Sequence, residues 1–262
     1  MRKQLQLFVV FFNIIALLAS FNATAGVAEI QRNDPEQLLK QATSEMLKLS
    51  RDARDYAKQN PQRYYCRASA ILDQVIDKSY FARGVMATYA SARLYRSLKT
   101  DAEREAFKAR VHKFADSLEE VLIEKYADAL LAFNGERIDV ENITASDGAK
   151  GRASLLQTIY DQDNTTYRVQ YNLQQQKDGN WLINNLVVEG INLGATYRNQ
   201  FAEAVEKHRG DVDYVVDHWQ EIMSQEKAKE QKSQEQKTQA GKAGKDAGVQ
   251  TGDNSGGDAN GQ

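Results

Sequence analysis

The chain has 262 residues, 42% of them hydrophobic and 27% charged, which suits one medium-sized folded domain with chain to spare. A formal net charge of −2 leaves no cationic footprint for nucleic acid, and a single cysteine, Cys66, excludes an intrachain disulfide. The helical pattern around Cys66 predicts a half-buried helix face and a buried, inert thiol.

The chain opens with Arg2 and Lys3, the apolar run LFVVFFNIIALLASF and the small-residue site Ala23-Thr24-Ala25. This pattern predicts a signal peptide over 1–25, cut after Ala25 so that the mature protein begins at Gly26. Losing two cations and no acid takes the net charge to −4. No cysteine stands directly after the apolar run, so a soluble protein outside the cytoplasm is expected rather than a lipid-anchored one.

Asn33-Asp34-Pro35-Glu36-Gln37 predicts a helix start, with Asp34 as N-cap and Pro35 at the first helical position. Leu38, Leu39, Ala42, Met46 and Leu49 fall on one face, and Asn60-Pro61 should end the helix. A second helical block follows over about 63–77. After it YFARGVMATYA makes a shorter run carrying Phe81, Val85, Met86 and Tyr89. Thr100-Asp101-Ala102-Glu103 has the form of a capping box. It opens a long helix to about Phe133, whose apolar stripe includes Phe107, Val111, Phe114, Leu118, Val121 and Leu122.

Four strands are predicted next, in ERIDVENI, GRASLLQTIY, TTYRVQYNLQ and NWLINNLVVEG. Tyr167, Val169, Tyr171 and Leu173 alternate with polar residues, so one face is wet. Lys177-Asp178-Gly179-Asn180 predicts an Asp-Gly hairpin turn. The alternation slips at Asn184-Asn185, which predicts a bulge and a curved sheet. Gly190 and Gly194 should let the backbone turn tightly where the last strand gives way to a helix over about 194–208. A further helix is predicted over about 211–223. The pattern as a whole is an α+β fold, a curved antiparallel sheet of about four strands packed against several α-helices. Beyond Met223 the composition turns to Lys, Gln, Glu, Gly and Ser, and residues 224–262 are expected to form a disordered tail.

No pattern of a catalytic or metal site accompanies these elements. His112, His208 and His218 lie far apart, and none has a metal-ligand partner at helical spacing. The nucleophile elbow, the phosphate loop and the dinucleotide fingerprint are missing. Asp161-Gln162-Asp163-Asn164 lacks the glycine and later glutamate of a calcium loop and predicts a turn. No enzyme, no cofactor and no metal are expected.

DGNWLINNLVVEGINLGATYRNQF, over 178–201, resembles the C-terminal signature of the MlaC family of toluene-tolerance auxiliary proteins. Trp181, Val188, Glu189, Gly190, Tyr197, Arg198, Gln200 and Phe201 match its pattern in order. IDKSYFARGVMATY and the long helix from Asp101 resemble the family upstream, so the likeness spans roughly 33–223. The sequence departs from the pattern at Ala87, where the family often has glycine, and at Asp101, near which it has proline. YASARLYRSLKT is also longer than the usual connection.

The resemblance implies a periplasmic phospholipid carrier. Its partners would be an outer-membrane lipoprotein–porin complex and an inner-membrane ABC transporter complex, with lipid as cargo and a monomer as the working form. A domain over 26–223 would hold acyl chains in an apolar cavity between sheet and helices. The residues expected to line it are Val85 and Met86 of the short helix, and Val111, Phe114, Leu118 and Leu122 of the long one. From the strands come Val169, Tyr171, Leu186 and Val188, then Ile191, and from the next helix Tyr197 and Phe201. Arg198 is expected at the surface, with a place near a lipid phosphate as the alternative. A reading of another class stays open: an interaction subunit with a solid core that bridges membrane partners and carries no lipid.

Overall fold

A computed structural model describes residues 28–132, 137–144, 150–160 and 166–229. The expected signal peptide, the expected end of the long helix near Phe133 and the turn at 161–164 lie outside these residues. Helix α1 spans Pro35–Ala53 and begins as its sequence requires, with Asp34 Oδ1 accepting from Gln37 N at 2.8 Å and Pro35 in the first turn. It stops short of Asn60, which instead caps α2 (Pro61–Val75) by accepting from Arg63 N at 3.2 Å. The Asn-Pro pair thus starts a helix where a stop was expected. Residues 54–59 turn between the two.

Helix α3 covers Lys78–Met86 and runs into a 3-10 turn over Ala87–Ala90. Ala87 sits at φ 50°, in the left-handed region, so the position where the family favours glycine needs glycine's freedom. Ala87→Gly is expected to raise the unfolding free energy by about 1 kcal/mol, the left-handed strain outweighing glycine's extra chain entropy. Denaturant unfolding measures it, and an unchanged or lower midpoint contradicts it. The long connection holds α4 (Ala92–Ser97), capped by Ser91 Oγ on Leu94 N.

Helix α5 runs over Asp101–Ala132. Its capping box is complete: Glu103 N donates to Thr100 Oγ1 at 3.1 Å, and Thr100 N to Glu103 Oε2 at 2.9 Å. The backbone N–H groups of Thr100 and Lys99, both donating to it, hold the Glu103 carboxyl below its ordinary pKa. Asp101 occupies the first helical position, which also suits proline, and pairs with Arg104 at 2.9 Å.

Strands β1 (Arg137–Asn142), β2 (Arg152–Tyr160), β3 (Thr166–Gln175), β4 (Trp181–Val188) and β5 (Ile191–Asn192) form one antiparallel meander in sequence order. The bulge lies where the alternation slips: Asn172 pairs with Asn185 and Leu173 with Ile183, leaving Asn184 as the extra residue. The β3–β4 turn has Gly179 at φ 87°, and Asp178 Oδ1 accepts from Asn180 N. Two further segments reach β4 near its start. Arg32 O accepts from Trp181 N, and Asp77 N donates to Ile183 O.

Glu189 (φ 50°) and Gly190 (φ 79°) are the whole connection between β4 and β5 and take the doubly left-handed form of a tight hairpin. Gly194 serves differently. Its φ is ordinary, but a Cβ there would stand 2.7 Å from Asn185 Oδ1, so a larger residue would have to displace the Asn185 side chain that accepts from Gly194 N. Helix α6 follows over Leu193–Lys207, then α7 over Val212–Asp217 with Asp211 as its cap. Residues 219–229 are also helical, so this helix runs past its expected end near Met223, and residues 230–262 of the expected tail lie outside the described residues. Glu226 pairs there with Lys207 and Lys229.

Two compact units share the chain, one taking residues through Phe81 and Leu122–Thr196, the other Ala82–Val121 and Tyr197 onward. In the first, α1 and α2 pack Leu38, Leu39, Leu49, Tyr64, Ile71 and Val75 with Leu155, Leu173 and Ile183 of the sheet. The stripe Tyr64, Ala68, Ile71 and Val75 is the buried face of α2, which leaves Cys66 two residues off it and exposed, not buried as expected. The second unit is built on aromatic packing. Phe114 meets Phe201 edge-on at 4.7 Å and Trp219 at 5.3 Å between ring centroids.

Candidate functional site

The pairing register places one side-chain set of the sheet on a common face. Ala153, Leu155, Gln157 and Ile159 of β2 lie on it beside Leu173, Tyr171, Val169 and Tyr167 of β3. Leu186 and Val188 of β4 continue it, and Ile191 of β5 pairs with Val188 at its edge. The opposite face carries Arg152, Ser154, Gln170, Asn172 and Asn185. There Ser154 Oγ bonds Asn172 Oδ1 at 3.1 Å.

Burial along the apolar face is graded. At one end Ala153, Leu155, Leu173 and Ile183 are buried in the core shared with α1 and α2. Tyr171 and Leu186 are half-buried and still pack against that core. At the other end Ile159, Val169 and Val188 are half-buried, while Tyr167 is 44% and Ile191 58% exposed. A dry wall becomes an open apolar surface within one set of strands. Glu189 closes the open end on the backbone, its carboxylate accepting from Arg168 N while its own N donates to Arg168 O.

One polar group interrupts the face. Gln157 is 2% exposed. Its Oε1 accepts from the Tyr171 hydroxyl at 2.9 Å, and its Nε2 donates to Thr43 Oγ1 of α1 at 2.8 Å. Burial pushes the Tyr171 phenol well above the usual tyrosine value. The folded state therefore favours the protonated ring: its contribution is full below the unfolded value of about 10 and is lost as pH rises beyond it. Tyr64 and Tyr126 are raised by the same cause. Tyr171→Phe is expected to remove one group's share of the alkaline loss, roughly 1.4 kcal/mol per pH unit above about pH 10. Denaturant unfolding across that range checks it, and an unchanged slope counts against it.

The candidate lining residues divide by unit. Val169, Tyr171, Leu186, Val188 and Ile191 come together on the sheet face of the first unit, and Leu122, half-buried, belongs to that unit too. Val85, Met86, Val111, Phe114, Leu118, Tyr197 and Phe201 belong to the second, where all are buried. Arg198 is exposed and donates from Nε to Gly84 O at 2.9 Å. Gln157 and Thr43 escaped the sequence reading, although a glutamine on the apolar phase of GRASLLQTIY was a usable signal.

Among the described residues no group of His, Cys, Asp or Glu could hold a metal ion, and no helix is long and apolar enough to cross a membrane. His208 and His218 both pack on Tyr214, the first tilted at 4.4 Å and the second stacked at 4.1 Å between ring centroids.

A toluene tolerance protein from Pseudomonas putida is 28% identical over 206 residues, covering 79% of this chain and 87% of the relative. A solved phospholipid-binding protein from Ralstonia solanacearum, in complex with a phospholipid, superposes with a TM-score of 0.56 at 19% identity. The alignment covers 76% of this chain and 98% of that one, and shows a shared fold. The MlaC protein family model matches residues 40–221, most of the chain, from within α1 to beyond the YRNQF stretch. A match of that length leaves no other assignment: the chain belongs to the MlaC family.

Proposed function

We propose that this protein is a soluble periplasmic phospholipid carrier whose acyl chains lie on the graded apolar face of the sheet. The observation that carries the reading is the passage from a sealed core at Leu155 and Leu173 to an open apolar surface at Val169, Val188, Tyr167 and Ile191. A two-chain phospholipid has about thirty methylenes, each worth roughly 0.8 kcal/mol on leaving water. Free passage through an aqueous compartment is therefore closed to it, and a protein that moves it needs an apolar wall which is partly built and not yet filled. The membership in the MlaC family and the bound phospholipid of the Ralstonia protein support the same reading.

In this reading the leader is cut before Gly26, and cargo passes between an outer-membrane lipoprotein–porin complex and an inner-membrane ABC transporter complex. The protein needs no metal and no catalytic group, because burial and release of apolar surface do the work. Native mass spectrometry of the intact protein from bacterial cells tests it. A phospholipid mass bound to each chain is expected. Bare protein in every preparation, with partners still captured, would establish the bridging subunit instead.

A further inference from the structure

The relay Thr43–Gln157–Tyr171 joins α1 to β2 and β3 within one unit, at the level where the apolar face changes character. On one side of it lie Ala153, Leu155, Leu173 and Ile183, all buried. Level with Gln157 stand half-buried Val169 and Val188 and, at the β5 edge, exposed Ile191, and beyond that row lie half-buried Ile159 and exposed Tyr167. Each bond has good length, 2.8 Å from Gln157 Nε2 to Thr43 Oγ1 and 2.9 Å from the Tyr171 hydroxyl to Gln157 Oε1. A buried amide on an otherwise apolar phase is costly unless such partners satisfy it, and aliphatic packing would serve stability as well.

We propose that this relay is the floor of the acyl site and sets the length of chain the protein accepts. The inference rests on the carrier reading above. A methyl terminus advancing along the face from the open end meets a hydrogen-bonded strut between helix and sheet. Passing it would strand an amide, a phenol and a hydroxyl against hydrocarbon. Breaking these bonds costs more than burying one or two further methylenes returns, so the chain stops there. A floor made only of aliphatic side chains would shift rotamers and admit a range of lengths. A hydrogen-bonded one has a single position.

Gln157→Ala removes the strut and opens space for about two methylenes. The double variant Gln157→Ala with Tyr171→Phe also removes the phenol that the first would leave unpaired. The unaltered full chain and both variants, stripped of lipid, are incubated with vesicles holding an equimolar series of phosphatidylcholines that differ only in tail length. Bound lipid is then read by mass spectrometry. The unaltered chain is expected to select a narrow length range, and the variants a range longer by about two carbons. Folded variants that bind the same lengths as the unaltered chain, or bind none, overturn the floor while leaving the carrier intact. An unaltered chain that takes up no lipid overturns the carrier reading, and the floor with it.

Discussion

Phe201→Ala is expected to cost about 3–5 kcal/mol, a large part of the stability of any single domain. The ring is fully buried and lies at the centre of an aromatic group. Phe114 meets it edge-on at 4.7 Å, Trp219 lies at 5.8 Å and Tyr89 at 5.9 Å. Those three come from α5, from the helical segment 219–229 and from the 3-10 turn after α3. Removing one ring therefore takes the shared partner from several elements at once. The aromatic pairs add about 0.5–1.5 kcal/mol each beyond the area they bury, and a cavity among large rings collapses poorly. Arg198, three positions earlier, is exposed, and its Nε bonds a backbone carbonyl, so Arg198→Ala should cost about 1 kcal/mol or less. Denaturant unfolding of delipidated protein separates the two. A Phe201→Ala protein that unfolds at the unaltered midpoint but no longer binds lipid would move Phe201 from packing to cargo contact.

The contrast within YRNQF shows which part of this fold is legible in sequence. Tyr197 and Phe201 stand four apart, and helical spacing alone predicts that they share a buried face, as they do. The bulge at Asn184 was likewise visible, because an antiparallel strand cannot lose its alternation without an extra residue on one side. The Asp-Gly turn and the Thr100–Glu103 box follow from local chemistry. Other features are set at long range. Strand β5 has two residues, too few to show any period, and exists because the Glu189-Gly190 turn folds it back on Val187 and Val188. Asn60-Pro61 signals a helix boundary but not which side of it is helical. Gln157 could be seen as a misplaced polar residue in β2, yet its partner Thr43 lies 114 positions away and only the fold brings them within reach. The apolar stripe of the long helix was legible as a stripe. Its division between two compact units, at Val121 and Leu122, was not, because periodicity carries no information about which neighbour a face meets.

Val188→Glu is expected to abolish lipid binding and leave the fold standing, while Leu38→Glu unfolds the protein. Leu38 is fully buried in the apolar core of α1, α2 and the sheet. A carboxylate there costs several kcal/mol as a buried charge, or stays protonated at a similar penalty. Leu118, 2% exposed in the second unit, should behave as Leu38 does. Val188 differs in its surroundings. It is half-buried, paired with Val169 across the strand and with Ile191 at the edge, and Ile191 is open to solvent. A glutamate there can turn its carboxylate to water, so the fold loses about 1 kcal/mol, as a partly exposed position usually does. An acyl chain on the same face would have to lie against that charge and its hydration shell, which removes the reason for it to leave a membrane. Melting temperature on delipidated protein and extracted lipid per chain give the two readings independently. If Val188→Glu melts as early as Leu38→Glu, the face is closed packing. If it keeps both its melting temperature and its lipid, the acyl chains lie elsewhere, and the open end of the sheet is only an edge.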